Sequence, residues 1–243
     1  MKLRPDAVIL TKEEWIILAA KAGIDHIWGF DDFEPDSITE KKFVQMLFHM
    51  LQEKLLYWKD DYLQTSFFLK DMFEKIKLCE RSFLLFPTVQ KDAAFCCYLT
   101  SEQLILLKRN VRNHNEICLR YLTSGQLISE IDKTGWLPSE SILQNELKKS
   151  SRKSSCFVKR KELYQTKELY GFMDLTEVKS GDVIQRLIIT EEELCPMLIR
   201  QTVEWQESAC FSRKKMNEWI QSMMGGVEND SCGHICSFSG AKL

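Results

Sequence analysis

The chain has 243 residues, with 33 Lys+Arg against 35 Asp+Glu for a net charge of −2, and 44% apolar and 28% charged side chains, values ordinary for a soluble globular protein. Ten Gly and five Pro exclude a collagen-like, Pro-rich or mostly disordered chain, and no stretch approaches the ~18–20 consecutive apolar residues of a membrane span. The opening Met1-Lys2-Leu3-Arg4-Pro5-Asp6 leads into a charged amphipathic segment instead of an apolar signal core, so the expected setting is the cytoplasm, without membrane insertion.

Residues 1–87 read as a helical unit. Thr11-Lys12-Glu13-Glu14 is a capping box, with Leu10 and Trp15 at staple positions. Trp15, Leu18, Ala19 and Ala22 share one helical face, and Gly23 suits the left-handed residue that ends a helix. An acidic loop, Asp31 to Asp36, precedes a second box at Ser37-Ile38-Thr39-Glu40, which opens a helix carrying Phe43, Val44, Leu47, Phe48 and Leu51. Leu55–Trp58 and Tyr62–Thr65 flank a charged turn as a short hairpin. Ser66 caps a further helix with Phe68, Leu69, Met72, Phe73, Ile76 and Cys79 inward, and Pro87 closes the unit. Helix, helix, hairpin, helix is a winged-helix-like order.

Residues 88–138 shift to period two. Ala93–Leu99, Gln103–Lys108, Asn115–Leu122 and Gln126–Ile131 are predicted strands of a first antiparallel meander, since connections this short cannot make a parallel crossover. Residues 139–165 hold a short helix at Ser141–Lys149 and a Ser-rich basic loop, where Lys148, Lys149, Arg152, Lys153, Lys159, Arg160 and Lys161 have no acid among them. Residues 166–226 form a second meander, through Leu169–Val178 and Val183–Thr190, plus a C-terminal helix. Glu191–Cys210 is open between helix and strand, because Thr190-Glu191-Glu192-Glu193 starts like a helix whereas Pro196 and Leu198 to Val203 read as a strand. Ser212 caps the last helix, which Gly225-Gly226 should stop, and 227–243 reads as a flexible tail. Meander followed by helix thus occurs twice. The predicted class is α+β.

Nine cysteines are many for a cytosolic chain. Most sit in apolar runs such as Phe95-Cys96-Cys97-Tyr98, and with an odd count and no signal core they read as buried, reduced thiols. Cys232-Gly233-His234-Ile235-Cys236 has soft donors but no second pair at matching spacing, so no metal or other cofactor is expected. His49 and His114 read as solvated, and Asp31–Asp36 lacks the Gly and terminal Glu of a calcium loop. Neither a nucleophile elbow nor a Gly-rich phosphate loop occurs, so no catalytic residue is nominated and the chain is not expected to be an enzyme. Residues 1–87 carry 12 basic and 15 acidic side chains, a net of −3, with Lys59-Asp60-Asp61 at the wing tip. Phosphate binding needs the opposite balance, so no nucleic acid is expected. Met216, Trp219, Met223 and Met224 on the last helix are either core or an adaptable groove for a partner helix.

The opening Leu10-Thr11-Lys12-Glu13-Glu14-Trp15, the Leu51–Leu56 helix end running into a hairpin and a further helix, and the two meanders that follow resemble the EspG-type chaperones of Gram-positive type VII (ESX-type) secretion loci. The resemblance spans about residues 8–224. It implies an EspG-like fold and a non-catalytic adaptor or chaperone that holds a helical secretion substrate, on the solvated face of an antiparallel sheet or in a helix groove. The alternative reading is a winged-helix transcriptional regulator with a ligand-sensing β domain.

Overall fold

A computed structural model describes residues 7–24, 38–87, 94–101, 103–110, 113, 115–139, 148–150, 157, 160–165, 168–192 and 194–229. The acidic loop Asp31–Asp36, Ser37, His26, His114, most of the basic stretch and the Cys232–Cys236 tail lie outside them. The elements are β1 (Ala7–Thr11), α1 (Lys12–Ala22), α2 (Glu40–Gln52), β2 (Leu56–Lys59), β3 (Tyr62–Thr65), α3 (Phe67–Leu78), β4 (Arg81–Pro87), β5 (Phe95–Leu99), β6 (Leu104–Arg109), β7 (Glu116–Leu122) and α4 (Ser124–Lys133). After them come β8 (Lys148–Ser150), α5 (Arg160–Leu163), β9 (Leu169–Glu177), β10 (Val183–Glu192), β11 (Cys195–Thr202), β12 (Gln206–Cys210) and α6 (Arg213–Asn229).

Ten strands make one sheet in the order β1-β7-β6-β5-β4-β9-β10-β11-β12-β8, and β2-β3 is a separate hairpin. Every pairing in the large sheet is antiparallel. From the central β4·β9 pair outward, each half is a four-stranded meander closed at its outer edge by the strand that starts that half, β1 beyond β7 and β8 beyond β12. The repeat of meander plus helix is therefore a repeat of strand order too.

Alternation along the strands fills two cores. Leu84, Phe86, Cys96, Tyr98, Ile105, Leu107, Phe172 and Ile188 face α1, α2, α3 and α5, while Phe83, Leu85, Phe95, Cys97, Leu106, Met173, Leu175, Leu187 and Ile189 face α4 and α6. The sheet is thus the middle of three layers. The expectation of a solvated sheet face is corrected over the central strands: β5 is buried at every position, and β4 at every position after Arg81.

Several local expectations change. Gln126–Ile131 is helix, not a fourth strand: Thr123 Oγ1 accepts from Gln126 N while the Gln126 side chain accepts from Thr123 N, a complete capping box. The predicted helix end at 148–149 is strand β8, paired with β12. Glu191–Cys210 resolves into the end of β10, then β11 and β12. β1 and β4, unforeseen, place two strands of the helical N-terminal unit in the sheet. Gly225-Gly226 does not end α6, which continues to Asn229.

At the centre of the sheet one row of side chains crosses four strands. Cys96 pairs with Leu84, Leu84 with Asp174, and Asp174 with Arg186. Asp174 and Arg186 form a fully buried bidentate pair, Nε to Oδ1 at 2.5 Å and Nη2 to Oδ2 at 2.8 Å, with the guanidinium over the Phe172 ring. The flanking row carries Ser82 Oγ against Thr176 Oγ1 at 3.0 Å. Buried charge here is neutralised and hydrogen-bonded, as it must be to persist in a low-dielectric layer.

Candidate docking surface on the helical insert

The hydroxyl of Thr39, not Ser37, caps α2, accepting from Lys42 N. The apolar stripe predicted on α2 exists but is wider than the body it packs on. Met50 is buried, and Met46, Leu47 and Leu51 pack partly against the core. Val44 and Phe48, one turn apart on the outer flank, stay exposed, as does Phe43 in the first turn. Two side-chain contacts to α1 fix this orientation. Lys42 Nζ reaches Glu13 Oε1 at 2.5 Å, and His49 Nδ1 lies 2.6 Å from Glu14 Oε1. Lys42 and His49 are two helical turns apart, so they grip consecutive acids at the start of α1. His49 is half-exposed, in keeping with its reading as a solvated residue, and it also engages Glu14. Glu14 is buried and also accepts from Thr11 N, as its capping box requires.

The hairpin grows from the same root. Leu55 and Leu56 are buried beside Met50, and Leu55 N donates to Met50 O. Asp60 and Asp61 have φ of 51° and 63°, the left-handed pair that a tight two-residue hairpin turn demands. Trp58 pairs with Leu63 and Tyr57 with Gln64, so successive aromatics point to opposite sides of the ribbon. Trp58 is 66% exposed and Tyr62 74%. α3 turns Leu69, Met72, Phe73 and Ile76 inward, with Phe73 stacked on Trp15 at 5.0 Å, and leaves Phe67 and Leu78 exposed at its two ends.

Among the described residues, eight of the eleven large apolar side chains that remain exposed lie between Phe43 and Leu78. Scattered exposed apolar residues need no explanation, but this concentration in one insert of an otherwise well-buried fold is the kind that marks interaction surfaces. Seven basic and six acidic residues between positions 40 and 78 leave the insert almost neutral. Its chemistry is burial of apolar surface, with long-range charge steering a small contribution.

The residues nominated from sequence fall elsewhere. Met216, Trp219 and Met223 are buried and Met224 partly so, all packed with Phe211 and Ile220 on the opposite side of the sheet. α6 places Met216, Trp219 and Met223 in the core, the first of the two alternatives open for them, while Met224 keeps part of its surface outside. Trp58, Tyr62 and Phe67 carry no nomination from sequence, because an aromatic in a strand or first helical turn reads by default as core. Among the described residues, no three His, Cys, Asp or Glu side chains are grouped to hold a metal ion, and no helix is long and apolar enough to cross a membrane.

No family model matches the sequence, and no curated protein matches it. Among solved structures the chain is similar to the Mycobacterium tuberculosis type VII secretion system chaperone EspG5, determined in complex with a PE25–PPE41 dimer. The TM-score is 0.53 at 8% sequence identity, and the match covers 90% of this chain and 96% of that one. At that identity the likeness is one of fold.

Proposed function

We propose that this chain is a non-catalytic cytoplasmic adaptor or chaperone that holds a helical secretion substrate of the type VII kind against α2 and the β2–β3 hairpin. The observation that carries the reading is the concentration of exposed apolar side chains in the insert, from Phe43 and Phe48 through Trp58 and Tyr62 to Phe67. The likeness in fold, over 90% of this chain, to a chaperone determined with a bound protein dimer supports it. Apolar anchors on a helix and a rigid hairpin suit a helical partner that presents an apolar edge, as in other helix-in-groove complexes. The regulator alternative fits the insert less well, since the outer flank of α2 offers Val44 and Phe48 where phosphate contacts would call for cations.

Co-expression with the helical-hairpin export substrates encoded in the same genome tests the proposal. A stable soluble complex of defined stoichiometry, seen by size-exclusion chromatography with light scattering, is the expected outcome. A chain that stays uncomplexed with every such substrate, or that shifts duplex DNA at low salt, overturns it.

A further inference from the structure

Five of the six cysteines among the described residues, all but Cys118, divide into two kinds. Burial pushes the Cys79 thiol up to about 11 and Cys96 up to about 12, and Cys97 lies well above the usual range for the same reason. A thiol so shifted is protonated at neutral pH and inert towards disulfides. Cys195 and Cys210 are set apart by their geometry. They sit on the adjacent strands β11 and β12 with their Sγ atoms 3.6 Å apart, both reduced. Cys195 is partly exposed at the start of β11, whereas Cys210 is buried at the end of β12. The ladder holds them in place: Met197 pairs with Cys210, and Phe211 N donates to Pro196 O at 2.8 Å, so the strands stay registered past the last paired residue. A disulfide has an S–S length of about 2.05 Å, so closure needs the two sulfurs to approach by about 1.5 Å, within reach of small side-chain rotations.

We propose that Cys195 and Cys210 are a redox-active pair that closes into a reversible disulfide on exposure to a low-molecular-weight disulfide. The Cys195 thiolate attacks one sulfur of the small disulfide, forming a mixed disulfide and releasing one small thiol. The Cys210 thiolate then attacks Cys195 Sγ, forming the Cys195–Cys210 bond and releasing the second small thiol. Two electrons pass from the pair to the small disulfide, and the two thiol protons end on the two released thiols. The bond staples β11 to β12 where the chain enters α6, next to the fully buried Phe211 and to Ser212, whose Oγ accepts from Lys215 N in the first turn of α6. It would fix the anchor of α6 without touching the insert, so it stands or falls independently of the docking surface.

The test uses the full chain and oxidised glutathione. After incubation, blocking of remaining thiols and proteolysis, mass spectrometry should find the peptides of Cys195 and Cys210 linked, with Cys79, Cys96 and Cys97 still alkylated after denaturation. Dithiothreitol should reverse the link. Closing a loop of this size should raise the Tm of the wild type by roughly 5–10 °C, with no redox-dependent shift in Cys195→Ser or Cys210→Ser. Recovery of both thiols unoxidised, a glutathione adduct on Cys195 that Cys210 does not resolve, or linkage of either residue to another cysteine would overturn the assignment. The first measurement is made on the wild type and needs neither variant to fold.

Discussion

Residues 7–133 and 148–229 lay down their elements in one order: an edge strand, helix, a four-stranded meander and a closing helix. The first half interposes α2, the hairpin and α3 between α1 and β4, while the second passes from α5 to β9 within a few residues. The halves also differ at the central row, where the first supplies Cys96 and Leu84 and the second supplies Asp174 and Arg186. The shared part of each half builds the sheet and its two cores. The unshared parts are where this chain departs from a simple repeat, and they carry its special chemistry: a surplus of exposed apolar side chains in one half, a buried ion pair in the other.

The largest effect is expected at that pair. Asp174→Ala leaves the Arg186 guanidinium buried without its carboxylate and should cost about 3–5 kcal/mol in urea unfolding. The double variant Asp174→Leu/Arg186→Leu makes the second half's row apolar like the first half's, and it should recover most of that loss. If the double variant is as unstable as the single one, the two halves are not interchangeable at this row. A smaller effect is expected where the halves lock together. Gly171 on β9 faces Trp136, which follows α4 of the first half, and an added Cβ would lie 2.7 Å from the Trp136 ring and 2.8 Å from the Phe86 carbonyl oxygen. The backbone carbonyl cannot swing aside, so Gly171→Ala should cost about 1–3 kcal/mol, and Trp136→Ala in the same chain should relieve part of the clash.

How much of this was legible follows from the kind of burial each segment meets. α1 and the hairpin could be read because a capping box and a charged turn are local signals that survive folding. β4, Arg-Ser-Phe-Leu-Leu-Phe-Pro, could not, because a strand buried on both faces loses its alternation and looks like any apolar run. At Thr123-Ser124-Gly125-Gln126 the cap is present in the sequence, but Ser and Gly beside it also read as a turn, so the apolar pattern after them fits a strand as well as the helix it forms. The site was the least legible. Phe43, Val44 and Phe48 show the same period as a core stripe, and only the width of the body beneath α2 decides which of them stay outside. Likewise Met216 and Trp219 look the same in sequence whether they line a groove or fill a core.

A more modest effect separates the two closing helices. Glu130 on α4 is nearly enclosed; burial alone would raise its carboxyl, but Lys133, Lys108 and Arg120 override that and hold it down at about 2. A carboxyl held below its ordinary value near 4.5 contributes stability above that value and loses it as the pH falls through about 2. Glu130→Gln should therefore cost about 1–2 kcal/mol at pH 7, with the gap to wild type closing between about pH 4.5 and 2. A gap that stays constant with pH would mean that shape, not charge, fastens α4 to the sheet.

The smallest effect on stability is expected on the insert, and that is what makes it informative. Phe48→Ser and Trp58→Ser remove side chains that are mostly in water already, so each should change unfolding free energy by no more than about 0.5 kcal/mol. If these residues anchor a partner, each loss should weaken the complex by about 30-fold or more, the scale of a buried aromatic hot spot. Leu194 and Val203 are exposed apolar residues on the second half, in the turns bounding β11, and Leu194→Ser and Val203→Ser serve as matched controls that should leave the complex intact. The reverse pattern, with binding lost through the second-half turns and kept without Phe48 and Trp58, would move the docking surface off the insert. The extra helices of the first half would then be read as packing alone, because their exposed aromatics would have neither a stabilising nor a binding role.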